Sequence, residues 1–485
     1  MVLISHSFVS NLRSQIAVEG CAHGDLDNIY ATLQHLEHTE NVKIDLLICC
    51  GDFQALRNEE DLESLSCPAK FRSMGSFWKY YSGVERAPYP TLFVGGNHEA
   101  SNYLWELYYG GFVAPNIYFL GFAGVVKFGG VRIGGLSGIF KQGDYRKGHF
   151  ERVPYNDSDI RSVYHVREYD VKKLLQLEGA IDVFVSHDWP EGVTQYGDVQ
   201  QLLRHKRHFE QEIEENRLGS NAGKELLHKL KPDYWFAAHL HTKFAAVVPH
   251  PNSNKATRFL ALDKCLPHRR FLQMVDIPAA AGPLEFTHDE EWLAITRAYH
   301  PYFPLTRQPM QLRNPLNLAA QRQWVQKRLG ERGSAISMQF TMTAPPYQAN
   351  QPRGRAGQLP GHVRNPQTEA FLEFLDLPYL LDHASESVPG QARVALPGPV
   401  ETDPNEIPLE DDDAGPVEAD PNEIPLEDDD AGPVEADPNE IPLEDDDAEV
   451  PENGALDTDD IDELESRSRC SVVDPDEIEL CEDED

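Results

Sequence analysis

The chain has 485 residues, of which 40% are hydrophobic, a composition typical of a folded protein with room for two or three domains. Residues 401–485 hold 37 acidic residues and 2 arginines, so that residues 1–400 carry only −2 of the net charge of −37, and the acidity does not exclude an anionic partner for the first part. Seven irregularly spaced cysteines argue against a disulfide framework and favour a reducing compartment, and no apolar run reaches the about 18 residues of a membrane span.

Residues 1–15 predict an N-terminal extension that leads into a strand, with an organelle-targeting segment as the alternative. From residue 16 to about Ile277, β-rich apolar runs alternate with helical or loop segments, the pattern of an α/β or layered α+β domain. The clearest predicted strands are QIAV, LLICC, TLFVG, VFVS and YWFAA. GVVKFGGVRIGGLSGIF predicts a β-hairpin with glycine turns, and DVQQLLRHKRHFEQEIEENRLGS predicts a helix that ends near Gly219.

Residues 278–382 have a weaker pattern and predict a smaller accessory region packed on the first domain. Two helices are expected there, at NLAAQRQWVQKRLG and NPQTEAFLEFLDLPYLL. Residues 383–485 predict a disordered acidic tail, in which DPNEIPLEDDDAGPVEA recurs with a 17-residue period from Asp403. Such dense charge with frequent proline cannot bury enough apolar surface to offset chain entropy. A solvated spacer is one interpretation of the tail, and a regulatory or protein-binding element is the other.

Polar side chains with metal-binding atoms follow five of the predicted strands. Because open α/β sheets build their sites at the carboxyl ends of strands, we expect these residues to lie close together. They are Cys21, His23, Asp52, Asn97, His98, His187, His239 and His241. A thiolate, an imidazole, a carboxylate and an amide oxygen are all metal ligands. Any one of these histidines would be explained more simply as a structural residue, but eight such residues in this order indicate a metal centre.

The order of these motifs resembles the calcineurin-like metallophosphoesterase superfamily, whose pattern is D-x-H, G-D, G-N-H-[DE], H and G-H-x-H. The chain has Cys21-Ala22-His23, Gly51-Asp52, Gly96-Asn97-His98-Glu99, His187 and Ala238-His239-Leu240-His241. It departs from the pattern at Cys21, where an aspartate is usual, and at Ala238, where a glycine is usual. The resemblance implies a metallophosphoesterase β-sandwich flanked by helices over residues 16–277.

Within this superfamily the chain resembles the RNA lariat debranching family, which places a cysteine at the first ligand position. VEGCAHGDLDNIY, CCGDFQALRNEEDL, SHDWPEG and FLALDKCLPHR are among the segments that carry this resemblance. It implies metal-dependent hydrolysis of the 2′-5′ phosphodiester at the branch of excised intron lariat RNA, after splicing and therefore in the nucleus. The alternatives are another metallophosphoesterase, either a phosphatase or a nuclease, and a non-catalytic RNA-binding protein.

The resemblance also implies roles for the residues of the centre. A first metal site would use Cys21, His23, Asp52 and His241, and a second would use Asp52, Asn97, His187 and His239. One or two divalent ions are expected, and the soft thiolate of Cys21 favours Zn²⁺ or Fe²⁺ over Mg²⁺, with Mn²⁺ as a further candidate. His98 is the implied general acid, or else it orients Asn97 or the substrate phosphate. Glu99 is expected to position His98 or a ligand.

Residues 137–167 interleave cations with aromatic rings, and the resembling family has a lariat recognition loop here. Cations bind phosphates and rings stack on unpaired bases, which suits a branched RNA better than a regular duplex. The candidate RNA contacts are Lys141, Tyr145, Arg146, Lys147, His149, Phe150 and Arg161. Branched intron RNA is thus the expected partner, and no oligomeric state is predicted. Because the acidic tail lies outside the site-bearing domain, deletion of residues 401–485 is expected to leave catalysis nearly intact.

Overall fold

The structure is a computed structural model that describes residues 13–67, 72–251, 253–279, 282–312, 316–349 and 361–384. Most of the predicted N-terminal extension and the repeats of the predicted acidic tail lie outside these residues. No helix among the described residues is long and apolar enough to cross a membrane. The five cysteines of this part of the chain, up to Cys265, are free thiols.

Thirteen strands form two sheets in the described part of the chain. They are β1 (Arg13–Glu19), β2 (Leu46–Cys49), β3 (Thr91–Phe93), β4 (Gly111–Ala114), β5 (Ile117–Phe119), β6 (Ala123–Phe128), β7 (Val131–Leu136), β8 (Val183–Ser186), β9 (Tyr234–Ala237), β10 (Phe244–Pro249), β11 (Ala256–Ala261), β12 (Leu272–Pro278) and β13 (Thr287–His288). The first sheet has the order β12-β1-β2-β3-β5-β4, and the second has the order β10-β11-β9-β8-β7-β6-β13.

Each sheet has a parallel centre. In the first sheet β1, β2, β3 and β5 are parallel, with β12 and β4 antiparallel at the edges. In the second sheet β7, β8, β9 and β11 are parallel, while β10, β6 and β13 pair antiparallel. Parallel strands need crossovers, and the crossovers bring helices onto the outer faces.

The helices are α1 (Leu26–Glu40), α2 (Phe77–Ser82), α3 (Ser101–Glu106), α4 (Gln142–Tyr145), α5 (Asp157–Ser162), α6 (Glu168–Leu174), α7 (Val199–His205), α8 (Glu210–Glu214), α9 (Asn221–Leu230), α10 (Glu290–Tyr299), α11 (Leu318–Arg332) and α12 (Pro366–Phe374). Short 3₁₀ helices occur at Asp61–Ser64, Val193–Tyr196, Arg207–Phe209, His300–Tyr302 and Leu381–Ala384.

The two sheets pack face to face, and side-chain alternation along the strands decides which residues lie between them. Ile16 and Val18 of β1 enter the core between the sheets, whereas Ala17 joins the core under α1. Val183 of β8 faces the same inner core, and its neighbour Phe184 faces the helices outside the second sheet. A strand covered on both faces is apolar at successive positions, as β1 is from Ile16 to Val18 and β8 is from Val183 to Val185. The predicted α/β β-sandwich flanked by helices is confirmed.

Two predicted elements differ in outcome. The glycine-rich hairpin is confirmed as β6 and β7, which pair antiparallel from Ala123 to Leu136. The helical stretch expected up to Gly219 is divided into α7, a 3₁₀ turn and α8, and it ends earlier, at Glu214. The chain leaves the helical conformation at Lys206 (φ −128°, ψ 63°), whose side chain turns inward and is only 7% exposed.

The described part of the predicted accessory region packs into the same body as the sandwich. Both predicted helices are confirmed as α11 and α12, and each begins at an asparagine cap, Asn317 and Asn365. α10 and β13 were not predicted, and β13 extends the second sheet. On α12, Gln367 exchanges two hydrogen bonds of 2.8 Å with the backbone of Phe112 in β4. The region is therefore joined to both sheets, while its boundary at residue 278 stays a prediction.

Candidate metal centre and active site

The predicted ligand residues converge at the carboxyl ends of parallel strands from both sheets. Cys21 and His23 follow β1, Asp52 follows β2, and Asn97 follows β3. The second sheet contributes His187 after β8, and His239 and His241 after β9. His23 is partly exposed and the other six are buried. The sandwich thus brings seven side chains from five strand ends to one position.

One group of these side chains lies around Asp52 on the β1 side. Ligand atoms of Cys21, His23, Asp52 and His241 all lie within 4.8 Å of one another. Nε2 of His23 is 3.2 Å from Nε2 of His241 and 3.7 Å from Oδ2 of Asp52. The set combines one sulfur, two nitrogens and one oxygen, which is a donor set suited to a transition metal or zinc.

A second group lies on the other side of the Asp52 carboxylate. Nε2 of His187 is 3.1 Å from Oδ1 of Asn97 and 3.4 Å from Oδ1 of Asp52. The rings of His187 and His239 lie 4.9 Å apart, and the amide of His239 donates to Sγ of Cys21 at 3.2 Å. Asp52 therefore faces both groups, one with each carboxylate oxygen.

These residues fit a divalent cation. Oδ2 of Asp52 is buried and accepts no hydrogen bond in the described part of the chain, and such an orphaned carboxylate oxygen is costly without a cation. Nδ1 of His187 lies 2.9 Å from the carbonyl oxygen of Cys50, which leaves Nε2 with its lone pair directed at Asp52 and Asn97.

Burial and neighbouring charges shift the pKa values of side chains in the centre. Burial lowers the pKa of His23 to about 4 and also lowers that of His241, so both imidazoles are held neutral, the form that binds metals. Burial opposes ionisation of Asp52, but His187 and the other neighbouring histidines lower the pKa of this carboxyl well below its usual range. The Cys21 side of the centre therefore presents two neutral imidazoles beside an ionised carboxylate. Burial acts to lower the pKa of His187, but the charge of Asp52 and the hydrogen-bond partners of the ring together raise it.

The backbone at the site is strained and closely packed. His23, Asp52, His239 and His241 all have left-handed φ angles, between 42° and 66°. Such conformations cost about 1 kcal/mol or more each and gather at functional sites. The glycine of the G-D motif, Gly51, is required because a Cβ there would lie 2.2 Å from Nδ1 of His187.

His98, the predicted general acid, lies at the rim of the two groups. It is 4% exposed, and its ring is 5.8 Å from that of His23. Its amide donates to Oδ1 of Asp52 at 2.8 Å, and Nδ1 donates to the carbonyl oxygen of Ser66 at 2.7 Å. The ring is thus held in one orientation next to the bridging carboxylate.

Glu99 acts on the backbone instead of on a ligand side chain. Its carboxylate accepts hydrogen bonds from the amides of Phe53, Gln54 and Gly96 at 2.8 to 2.9 Å. Burial and the charge of Asp52 raise its pKa to about 8, and the three amide donors act in the opposite direction. The Glu99 side chain joins the loop after β2 to the loop after β3. It therefore fixes the position of Asp52 relative to Asn97.

Two residues that contact the centre were not predicted from the sequence. Nε2 of Gln54 lies 3.3 Å from Nδ1 of His23 and so holds that ring from behind. Its position two residues after Asp52 is the only signal that could have indicated it. Ser66 contributes a backbone carbonyl, a group that every residue carries, so its contact with His98 has no signal in the sequence.

The seven candidate RNA contacts in residues 137–167 do not share one environment. Arg146 and Arg161 are exposed, and Lys141, Tyr145, Lys147 and Phe150 are partly exposed. His149 is only 1% exposed: Nε2 lies 2.9 Å from Oδ2 of Asp170, and the ring packs against Trp105 and Tyr108. This burial argues against a direct RNA contact by His149 and gives it a role inside the protein.

The base of this loop adjoins the centre. The amide of Gly138 donates to the carbonyl of Gly95 at 2.8 Å, two residues before Asn97. Near the other end, the hydroxyl of Tyr164 lies 3.4 Å from Oγ of Ser66, the residue whose carbonyl holds His98. The loop is braced from the C-terminal side, where Gly148 and His149 donate to the carbonyls of Thr306 and Pro304 at 2.9 Å.

Comparison with known proteins is consistent with this geometry. The family described as calcineurin-like phosphoesterase matches residues 14–243, and the lariat debranching enzyme C-terminal domain matches residues 254–380. The chain is 57% identical over 405 residues to the lariat debranching enzyme of Arabidopsis thaliana, covering 82% of this chain and 96% of that protein. It is 48% identical over 442 residues to lariat debranching enzyme A of Xenopus laevis, covering 82% and 81%. It is 50% identical over 394 residues to the Homo sapiens enzyme, covering 77% and 71%. The chain belongs to the lariat debranching enzyme family, within the calcineurin-like metallophosphoesterases.

Proposed function

We propose that this protein hydrolyses the 2′-5′ phosphodiester bond at the branch point of excised intron lariat RNA, which yields linear RNA. The observation that carries the proposal is the pair of ligand groups that share the buried Asp52 carboxylate, with His98 at their rim. Family membership supports the choice of substrate. Since lariats are products of splicing, the nucleus is the proposed site of action.

The proposed ligands are Cys21, His23, Asp52 and His241 for one divalent ion, and Asp52, Asn97, His187 and His239 for another. Divalent metal ions, when bound there, would polarise the phosphate and activate water for attack on phosphorus. The thiolate of Cys21 favours Zn²⁺ or Fe²⁺ over Mg²⁺, and Mn²⁺ is the further candidate. The unsatisfied Oδ2 of Asp52 supports a cation on the side of Cys21.

His98 is the proposed general acid. Because a carbonyl oxygen only accepts hydrogen bonds, the Ser66 contact keeps a hydrogen on Nδ1 and makes Nε2 the nitrogen that gains and loses a proton. Nε2 would then protonate the 2′ oxygen of the branch nucleotide as the bond to phosphorus breaks. The hydrogen bond from the His98 amide to Asp52 places this residue next to the carboxylate that the two proposed ligand groups share.

Recognition of the branch is proposed for residues 137–167. The exposed Arg146 and Arg161 can bind phosphates, together with the partly exposed Lys141 and Lys147. Tyr145 and Phe150 can stack on bases that the branch leaves unpaired. The hydrogen bond from Gly138 to Gly95 supports this role, since it brings the loop base next to the proposed ligand Asn97.

The test compares a short RNA with one 2′-5′ branch against its linear 3′-5′ counterpart, with added Mn²⁺, Fe²⁺ or Zn²⁺ and with chelator. Metal-dependent cleavage at the 2′-5′ linkage alone is expected. Equal cleavage of both RNAs would make the protein a general metallonuclease. Failure of all three metals to support cleavage would contradict the enzymatic proposal.

A further inference from the structure

The segment Asp263–Phe271, between β11 and β12, lies directly beside Cys21. It contains none of the proposed metal ligands or RNA contacts. Lys264 forms a parallel β-bridge with Cys21, and the amide of Cys265 donates to the carbonyl of Cys21 at 3.1 Å. A Cβ on Gly20 would lie 2.1 Å from the carbonyl oxygen of Asp263, so the two backbones approach as closely as glycine allows. The position of Lys264 relative to the centre is thus set by backbone contacts.

The side chain of Lys264 faces the same side as that of Cys21, because residues paired across a β-bridge project to the same face. It is partly buried, and within the described residues its ammonium makes no ion pair or side-chain hydrogen bond. The neighbouring Asp263 has other partners: its Oδ1 accepts from the backbone amide of Lys264, and its Oδ2 lies 3.6 Å from Nη1 of Arg269.

The side chain of Lys264 lies beside the metal centre. Its bridge partner Cys21 belongs to the group whose ligand atoms, with those of His23, Asp52 and His241, all lie within 4.8 Å of one another. A partly buried ammonium that forms no ion pair is available to bind an anion. His268 and Arg269, further along the segment, are exposed and continue the basic character outward.

The segment and the recognition loop flank different sides of the centre. The loop base adjoins Gly95 after β3, whereas Lys264 adjoins Cys21 after β1, and β2 lies between these two strands. Two strand spacings separate these two positions by about 10 Å. A branch nucleotide is joined to three RNA strands. Binding by the recognition loop alone would therefore leave backbone phosphates of another strand near the centre without a protein partner.

We infer that Lys264 is a substrate-binding residue that contacts a backbone phosphate of the branched RNA on the Cys21 side of the centre, opposite the recognition loop. The inference rests on the proposed function, since the ligand is the RNA substrate. The ammonium of Lys264 pairs with a phosphate oxygen as a point charge. His268 and Arg269 extend this phosphate-binding surface along the RNA strand.

The test uses the full metal-loaded chain and measures kcat/KM on the short branched RNA over a series of salt concentrations. Lys264→Gln is expected to lower kcat/KM about tenfold at low salt. It is also expected to reduce the slope of log kcat/KM against log salt by about 0.7, the change for one lost contact with single-stranded phosphate. Lys264→Arg should restore both values, because charge is the property required. The exposed Lys229→Gln on α9 is the control.

A Lys264→Gln variant with an unchanged salt slope would overturn the inference, as would Lys264→Gln with a reduced metal content, since Lys264 would then support Cys21 instead of RNA. Metal content by mass spectrometry and the thermal midpoint accompany each variant. If the wild-type protein itself fails to cleave the branched RNA, the proposed function is at fault. A fluorescence titration of the same RNA then tests Lys264 alone, with weaker binding by Lys264→Gln as the expected result and equal binding as the contrary one.

Discussion

Nδ1 of His98 donates a hydrogen bond of 2.7 Å to the carbonyl oxygen of Ser66. Ser66 belongs to a loop that contributes no ligand, yet this loop is held by a buried polar network. Oγ of Ser64 donates to Oδ1 of Asn102, and Nδ2 of Asn102 donates to Oδ1 of Asp61, each at 2.7 Å. The orientation of His98 thus depends on groups outside the metal centre.

Replacement of His98 with alanine tests its role as the acid. Because Nε2 of His98 contacts no ligand side chain, we expect His98→Ala to lower kcat on branched RNA by about 10² to 10⁴-fold and to leave metal content unchanged. The measurements are single-turnover cleavage and metal analysis. His38→Ala, on the exposed face of α1, is the matched control. Loss of metal from the His98 variant would assign the residue a structural role.

Arg57 joins this network to the C-terminal region. Its guanidinium bonds both oxygens of Asp61 at 2.8 to 2.9 Å, and Nη1 donates to Glu106 at 2.7 Å and to Thr343 at 2.8 Å. All three charged side chains are at most 3% exposed. Arg57→Met would leave two buried carboxylates without their cation, so we expect a loss of about 3 to 5 kcal/mol in the free energy of unfolding.

Urea denaturation of the full chain measures this loss. The matched control is Arg332→Met at the end of α11, where the ion pair with Glu373 is 3.9 Å long and largely exposed. Such surface pairs contribute less than about 1 kcal/mol. Similar midpoints for the two variants would show that the Arg57 network does not stabilise the fold.

Cys21→Asp tests what the thiolate contributes to metal choice. A carboxylate is a harder ligand, so we expect the variant to bind Zn²⁺ and Fe²⁺ more weakly relative to Mg²⁺ and Mn²⁺. Activity against each metal, with bound metal determined by mass spectrometry, measures the shift. Cys67→Ser, at a partly exposed cysteine outside the ligand set, serves as the control. An unchanged metal preference would remove Cys21 from the proposed first site.

The contrast between Arg146 and His149 in the recognition loop predicts opposite phenotypes. Arg146→Ala should weaken RNA binding and reduce its salt dependence without affecting the thermal midpoint, because the side chain is exposed. His149→Ala removes a partner of the buried Asp170 and should cost about 1 to 3 kcal/mol of stability. RNA titrations and denaturation of both variants measure the effects on binding and on stability separately. A stable His149→Ala protein with a specific RNA-binding defect would restore His149 as a contact.

The buried side chain of His300 leads us to expect that the folded protein loses stability as the pH falls below 6.5. It is 1% exposed, and burial lowers its pKa from 6.5 to about 4, with the charge of Lys173 acting in the same direction. As the pH falls through 6.5, the unfolded chain binds a proton that the folded chain does not bind until about pH 4. The free energy of unfolding should therefore fall by about 1.4 kcal/mol per pH unit across this window on account of His300.

His300→Gln removes this group, so the variant should show a shallower decline of stability between pH 6.5 and pH 4 than the wild-type chain. Urea midpoints at half-unit pH intervals give the comparison, and the histidines common to both chains cancel. Parallel curves for the two chains would contradict the lowered pKa of His300.

The sequence pattern predicted a layered α/β domain with polar side chains clustered at strand ends, and the resemblance to metallophosphoesterases added the sandwich and the grouping of ligands around Asp52. Ile16, Ala17 and Val18 form an uninterrupted apolar run because both faces of β1 are covered. Each ligand comes directly after such a run, so a cluster of ligands at strand ends was predictable, but Cys21 and His187 follow strands of different sheets, and only the packing of the two sheets brings them to one centre. The two helices of the accessory region were also predicted from the sequence, and the structure shows that each begins at an asparagine cap.

Only the tertiary structure decided what holds and surrounds those residues. The carbonyl of Ser66 could not be predicted, since a backbone acceptor has no residue type, and Arg57 meets Thr343 across 286 positions of sequence. His149 stands in a run of charged residues and was expected at the surface, but Asp170 and an aromatic cluster from distant segments enclose it. In each case a long-range contact overrides a local pattern, and long-range contacts exist only after the chain has folded.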